Sequence, residues 1–232
     1  IGVNDNTVFF TPWTLQGRMV RAKPNSTLEQ GTKREDLLLD GAGNDQMFGL
    51  AGSDLFISYA GHDLVDFGPG LDAALYFSPR GNFRISGNEC TLVVQDLRGT
   101  EGQDTFFNIE RLSFADSSVS FDMDGSAGWV ARVVGAVWGP ARLTDAALVG
   151  KGLRLMDNGM TREALVQMAL DHAFGAVRDM PTLVNTLYRN VYDANPTAEV
   201  LATYVNGLQT GAYSPAKLGV MAAQAPDNEA HI

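Results

Sequence analysis

Between Gly31 and Leu75 an aspartate recurs every nine residues, at Asp36, Asp45, Asp54, Asp63 and Asp72. Two positions after each stands an apolar side chain, namely Leu38, Met47, Phe56, Val65 and Ala74. Two positions before four of the five stands a glycine: Gly43, Gly52, Gly61 and Gly70. A short period that keeps glycine, acid and apolar residue in fixed order confines a chain to stacked, nearly identical coils. The blocks read GTKREDLLL, DGAGNDQMF, GLAGSDLFI, SYAGHDLVD and FGPGLDAAL. In each, six turn-forming residues precede three in a short strand, because glycine alone adopts positive φ freely and a strand alternates its faces. The middle strand residue then points inward, and two blocks complete one flattened coil. Asp36, Asp54 and Asp72 fall in one column and Asp45 and Asp63 in the other.

Neighbouring coils lie about 4.8 Å apart, where stacked carboxylates repel by up to about 3 kcal/mol per pair at an effective dielectric near 20. A divalent cation between them turns that repulsion into cohesion. Calcium suits the position, since it takes about 6 to 8 oxygen ligands in tolerant geometry, whereas zinc asks for nitrogen or sulfur that these turns lack. The spacing predicts one site between Asp45 and Asp63 and another between Asp54 and Asp72. Turn carbonyls of Gly41, Ala42, Gly43, Ala51, Gly52, Ala60, Gly61, Gly68 and Gly70 complete the expected ligand set. A third site, between Asp36 and Asp54, is disfavoured by Lys33 and Arg34 where the turn wants small residues. The alternative of a plain string of surface turns does not account for five copies in register with the apolar position kept.

From Gly31 to about Asp122 the chain resembles the C-terminal region of RTX proteins exported by bacterial type I systems, whose repeat is G-G-x-G-x-D-x-U-x. The later phrase GQDTFFNIERLSFADSSVSFD is similar to the one that closes the roll in that family, through Asp104, Asn108, Ile109, Glu110, Phe114 and Asp116. The resemblance implies a secreted or cell-surface protein, with calcium ions and the type I secretion apparatus as partners. Before that phrase, NFRIS and CTLVVQD flank Gly87, Asn88 and Glu89, which predicts a β-hairpin with its turn at those three residues. This segment is expected to cap one open end of the roll, and NTVFF with QGRMVRA, separated by Pro12 and Trp13, the other.

Beyond Gly125 the periodicity turns helical. Val149, Gly152, Leu153 and Met156 recur at helical spacing, as do Val184, Leu187, Tyr188, Val191 and then Leu201, Tyr204, Val205, Leu208. Gly159 with Thr161 separates two helices, Asp179 with Pro181 and Thr197 open two more, and Ser214 with Pro215 opens the last. Four to six helices are expected over about 126–226. The stretch LVNTLYRNVYDANPTAEVLATYVNGLQTG resembles a helical domain of unknown function that accompanies RTX repeats in secreted and surface-layer proteins. It departs from that family at the inter-helix turn, with Asp193-Ala-Asn-Pro196 in place of Arg-x-Pro-Asp. Self-association or cell-surface contact is what this second resemblance implies. The aromatic and methionine positions here read as core packing. The fold expected is therefore mixed: a short parallel β-roll with capping β-strands in the N-terminal half, then a C-terminal α-helical bundle. The segments are an N-terminal cap at 1–30, the roll at 31–75, a β cap at 76–124 and the helical part at 125–232.

Composition narrows the function classes. Asp and Glu number 27 against 17 Lys and Arg, a net charge of −10, which disfavours nucleic acid and anionic membrane. No apolar run approaches the length of a membrane helix, roughly 20 residues, so no membrane insertion is expected. No basic-then-apolar leader is visible, and Ile1 at the start reads as a piece of something longer. Cys90, alone, forms no internal disulfide, so bound metal is the expected staple. His-Glu-x-x-His, Gly-x-Ser-x-Gly and Gly-x-x-x-x-Gly-Lys are all missing. His62, His172 and His231 read as structural or exposed positions, so no catalysis is expected of the chain itself. The expected function is a calcium-binding module that folds on meeting calcium outside the cell. An assembly domain of surface-layer or adhesin type, or an accessory part of a secreted hydrolase, is the alternative.

Overall fold

In the computed structural model, which describes residues 2–3, 16–22, 28–88, 90–176 and 178–232, the chain divides into two compact units, Ile1–Asp122 and Met123–Ile232. The first is built of short, mostly parallel strands in two sheets and the second of helices.

Each nine-residue block yields a three-residue strand: β4 (Leu37–Leu39), β5 (Gln46–Phe48), β6 (Leu55–Ile57), β7 (Leu64–Asp66) and β8 (Ala73–Leu75). Alternate strands pair in parallel at an offset of eighteen residues, Leu38 with Phe56, Phe56 with Ala74, and Met47 with Val65. Two rungs of the same register precede Gly31, for β2 (Met19–Arg21) pairs with β4 and β3 (Glu29–Gln30) with β5. NTVFF, Pro12 and Trp13, expected to cap this end, lie outside the described residues. Of the opening stretch, β1 (Gly2–Val3) pairs antiparallel with β13 (Ser118–Ser120), at the far edge of the same sheet from β2.

The hairpin forms from β9 (Phe83–Asn88) and β10 (Thr91–Asp96), but its turn lies one to two residues later than expected. Gly87 and Asn88 are strand residues, opposite Leu92 and Thr91. Asn88 closes the turn through its side chain, whose Oδ1 accepts from the N–H groups of Cys90 and Thr91 at 3.1 and 3.2 Å. The hairpin lies antiparallel on β11 (Gln103–Phe107), which pairs in parallel with β7, while β12 (Arg111–Ser113) pairs in parallel with β8. β11 and β12 thus add one more coil. The antiparallel strands β10 and β13 then cover its edges.

The middle residue of every repeat strand is buried, and Leu38, Met47, Phe56, Val65 and Ala74 join Val20, Phe106 and Leu112 in one core. The core becomes aromatic toward the covered end, where Tyr76 lies 4.8 Å from Phe83 and 5.4 Å from Phe114 between ring centroids. Coils approach closely only because glycine stands where they cross. A Cβ at Gly61, whose φ is +142°, would lie 2.2 Å from the Gly43 carbonyl oxygen, and one at Gly70 would lie 1.9 Å from that of Gly52.

The second unit holds seven α-helices among the described residues: α1 (Ser126–Trp138), α2 (Ala146–Asp157), α3 (Arg162–Phe174), α4 (Met180–Tyr192), α5 (Ala198–Gln209), α6 (Pro215–Ala223) and α7 (Pro226–Glu229). Four to six were expected. The short α7 follows the helix that Ser214 and Pro215 open, and Asn228 anchors it by donating to the carbonyls of Arg132 and Ala223. Five N-caps are side-chain oxygens, of Asp145, Thr161, Asp179, Thr197 and Ser214, each accepting from the N–H three residues on. The central helix α1 is apolar over most of its circumference and packs against α2, α3, α4 and α6.

Gly61→Ala forces a side chain into the adjacent coil at a left-handed backbone position. It is expected to destabilise the first unit by about 2 kcal/mol or more, measured as a lower urea midpoint at unchanged slope.

Candidate metal centre

The repeat aspartates are not surface groups. Asp36, Asp45, Asp54, Asp63 and Asp72 are all buried, at the last turn position before each strand. One carboxylate oxygen of Asp54, Asp63 and Asp72 accepts the N–H of the aspartate one coil earlier. Asp36 N–H donates to Asp54 Oδ1 at 2.8 Å, Asp54 N–H to Asp72 Oδ1 at 2.6 Å, and Asp45 N–H to Asp63 Oδ1 at 2.7 Å. Each column is thus a ladder of carboxylates and amides. The first column begins where Arg18 N–H donates to Asp36, and it ends on Glu110, whose Oε2 accepts from Asp72 N–H at 2.8 Å. The second ends on Asp104, whose Oδ1 accepts from Asp63 N–H at 3.3 Å.

In the second column the sites gather. Asp40, which opens the turn that Asp45 closes, offers a carboxylate oxygen within 4.8 Å of those of Asp45 and Asp63. All three residues are buried. Asp104 stands beside Asp63 and also accepts from Ser58 Oγ at 3.1 Å and from Tyr76 Oη at 2.6 Å. Four oxygens in the two columns, Asp40 Oδ1, Asp54 Oδ2, Asp63 Oδ2 and Asp72 Oδ2, are buried without a hydrogen-bond partner. A buried ionised oxygen with nothing to compensate it is strongly unfavourable. Each of these therefore calls for a proton or a cation.

The electrostatics say the same. Burial above all, then its contact with Asp45 and the charge of Asp104, pushes Asp40 up to about 7. Burial and the charges of Asp104 and Asp40 push Asp63 up to about 9. In the first column burial, with Asp36 and Glu35 nearby, raises Asp54 to about 7, and burial, with Glu110 and Asp54, raises Asp72 to about 9. Asp104 is raised as well, by burial, against the bonds it accepts from Tyr76, Asp63 and Ser58.

The glycines and alanines expected to turn their carbonyls to a metal lie in the turns 40–45, 49–54, 58–63 and 67–72. The Gly43 carbonyl faces Gly61 in the next coil, and that of Gly52 faces Gly70. Asp45 and Asp63 come together, now with Asp40 as a third carboxylate. Asp36, Asp54 and Asp72 line up in the ladder that Glu110 ends. Asp40, Asp104 and Glu110 were not among the expected ligands, although Asp104 and Glu110 stood in the phrase that follows the repeats. Of the histidines, exposed His62 gives its N–H to Asn44 Oδ1 at 2.9 Å, and exposed His172 meets Trp138 edge-on at 5.9 Å.

No family model matches the chain, and no curated protein matches it. Among solved structures, seven chains match. One is the extracellular lipase LipA from Serratia marcescens, similar at 27% identity over 40% of this chain, with a TM-score of 0.35. The match spans 15% of the lipase.

Without metal, the raised carboxylates bind protons in the folded state that the unfolded chain, with carboxyl groups ionising near about 4, releases. Stability is then fullest below about pH 4 and falls as pH rises, first through the Asp40 and Asp54 values near 7 and then through those of Asp63 and Asp72 near 9. In chelator, the first unit is expected to melt higher at acidic than at alkaline pH, which calorimetry across that range checks.

Proposed function

We propose that this chain is a non-catalytic calcium-binding module of RTX type, from a bacterial protein exported by a type I system, and that its roll orders when calcium is met outside the cell. The observation that carries this reading is the buried group of Asp40, Asp45 and Asp63, with unpartnered oxygens on Asp40 and Asp63. Asp104 backs Asp63, and the Asp54–Asp72 pair supplies a second place of the same kind. An all-oxygen, carboxylate-rich set among turn carbonyls fits a hard cation, and the tolerant coordination of calcium suits it better than the strict octahedron of magnesium. Calcium, when bound, would supply the positive charge that lets these carboxylates ionise within the fold. Extracellular calcium modules bind at about 10⁻⁴ to 10⁻³ M, so external calcium itself would act as the folding signal.

Titrating calcium into the chelator-treated chain at neutral pH tests the proposal. Circular dichroism is expected to show strand signal gained with a saturable dependence on calcium, and magnesium is expected to replace it poorly. Asp63→Asn is expected to raise the calcium midpoint by about tenfold or more, since a charged ligand is lost, while His62→Ala beside it leaves the midpoint in place. A chain fully ordered in chelator and indifferent to calcium would overturn the reading.

A further inference from the structure

The two columns of the roll are not equivalent. In the second, the residues that follow the strands also carry side-chain oxygens: Asp40, Ser58 and Tyr76 succeed one another at eighteen-residue spacing, beside Asp45, Asp63 and Asp104. All six are buried. In the first column the matching positions hold Gly31, Gly49 and Phe67. The two glycines leave no room for a further ligand, since a Cβ at Gly31 would lie 2.6 Å from Asp36 Oδ2 and one at Gly49 would lie 2.1 Å from Asp54 Oδ2. The first column is therefore a single ladder and the second a double one.

The added oxygens of the second column divide between two tasks. Ser58 Oγ and Tyr76 Oη both donate to Asp104 Oδ2, at 3.1 and 2.6 Å, and Asp104 Oδ1 accepts from Asp63 N–H at 3.3 Å. Three donors thus compensate Asp104, which closes the column. Asp40 is left open: Tyr59 N–H reaches its Oδ2 at 3.0 Å, but its Oδ1, like Asp63 Oδ2, is buried without a partner. Asp40, Asp45 and Asp63 each bring a carboxylate oxygen within 4.8 Å of the other two, and no other three acids converge in this way among the described residues. In the first column Asp36 needs no cation, because Arg18 N–H donates to its Oδ1 and Thr32 N–H and Oγ1 to its Oδ2, at 2.5 and 3.0 Å. Asp54 and Asp72 remain there with one unpartnered oxygen each, and no third acid converges with them.

Affinity for calcium rises with the number of charged ligands and with the rigidity of the site. Asp40 adds the third charge from a backbone already fixed, its own N–H donating to the Ile57 carbonyl at 3.2 Å. We infer that the Asp40–Asp45–Asp63 site is the tight calcium site of the roll, filled first and emptied last, and that Asp40, which stands outside the nine-residue period of aspartates, is the ligand that sets it above the Asp54–Asp72 site. The inference rests on the calcium reading and adds an order of filling to it. Asp63 is bonded to Asp104 in β11, the strand on which the hairpin lies. The tight site therefore holds the covered end of the roll while the first column empties.

The test starts from the full chain loaded with calcium and freed of excess ion, and follows release into a fluorescent chelator by stopped flow. One ion per chain is expected to leave at least about tenfold more slowly than the rest, since affinity differences between related sites lie mostly in the dissociation rate. Asp40→Asn, which keeps the shape and the acceptor for Tyr59 N–H, is expected to abolish the slow phase and spare the fast one. Asp54→Asn is expected to remove amplitude from the fast phase and spare the slow ion. Amide resonances give the order without any variant: as calcium is withdrawn stepwise, those of Asp36 and Asp54 are expected to shift before those of Asp45 and Tyr59. A single release phase, a slow phase that survives Asp40→Asn or is lost in Asp54→Asn, or second-column amides that shift first overturns the order while calcium binding itself stands. A chain that retains no calcium at all removes the calcium reading and this inference together.

Discussion

Like charges stacked one above another hold the key to the first unit. Each coil delivers a carboxylate to almost the same place as the coil before it, and the ladder of amide donors takes up only one oxygen of Asp54, Asp63 and Asp72. The other oxygens of Asp54, Asp63 and Asp72 stay buried and unpartnered. Since the core is only one inward side chain wide per strand, its apolar burial is modest, and a few uncompensated charges weigh heavily against it. The fold is therefore conditional. Protons or cations complete it, and the glycines that let coils approach closely are what bring the carboxylates near enough to need them.

The regular part of this unit was legible because a period of nine residues leaves little freedom: the strands, their register and the inward positions all follow from it. What escaped had physical reasons. Asp104 and Glu110 complete the two columns, yet they stand 41 and 38 residues after their partners instead of eighteen, because the hairpin of β9 and β10 is inserted between coils. An insertion hides spatial periodicity from anything read along the chain. Asp40 was passed over because it opens a turn, where the pattern asks only for a residue that tolerates the bend. The hairpin turn was displaced because Gly87 serves a close approach within the strand, to the Thr91 carbonyl, while Asn88 closes the turn with its side chain.

In the helical unit, caps were easier to read than faces. Thr161, Asp179, Thr197 and Ser214 each accept a bond from the first turn they precede. The central helix α1 buries ten of its thirteen residues, so an apolar face read along the chain understates how much of it is covered. In α5 the same kind of pattern buries only Leu208, and Tyr204 on its half-covered face lines an open cavity with residues of α4 and α6. Periodicity told which side chains prefer shelter without telling whether they receive it.

The pairing of Gly2–Val3 with Ser118 and Val119 joins the first strand of the unit to its last. The five parallel pairings within the repeats join residues eighteen apart and can form progressively, coil upon coil, as in a stack of coins. The clasp between β1 and β13 obeys a different rule, because it spans more than a hundred residues and carries a correspondingly large loop-closure cost. Growth of the stack and fastening of its seam are thus separate events, and the seam can be fastened only after the whole stretch between them exists.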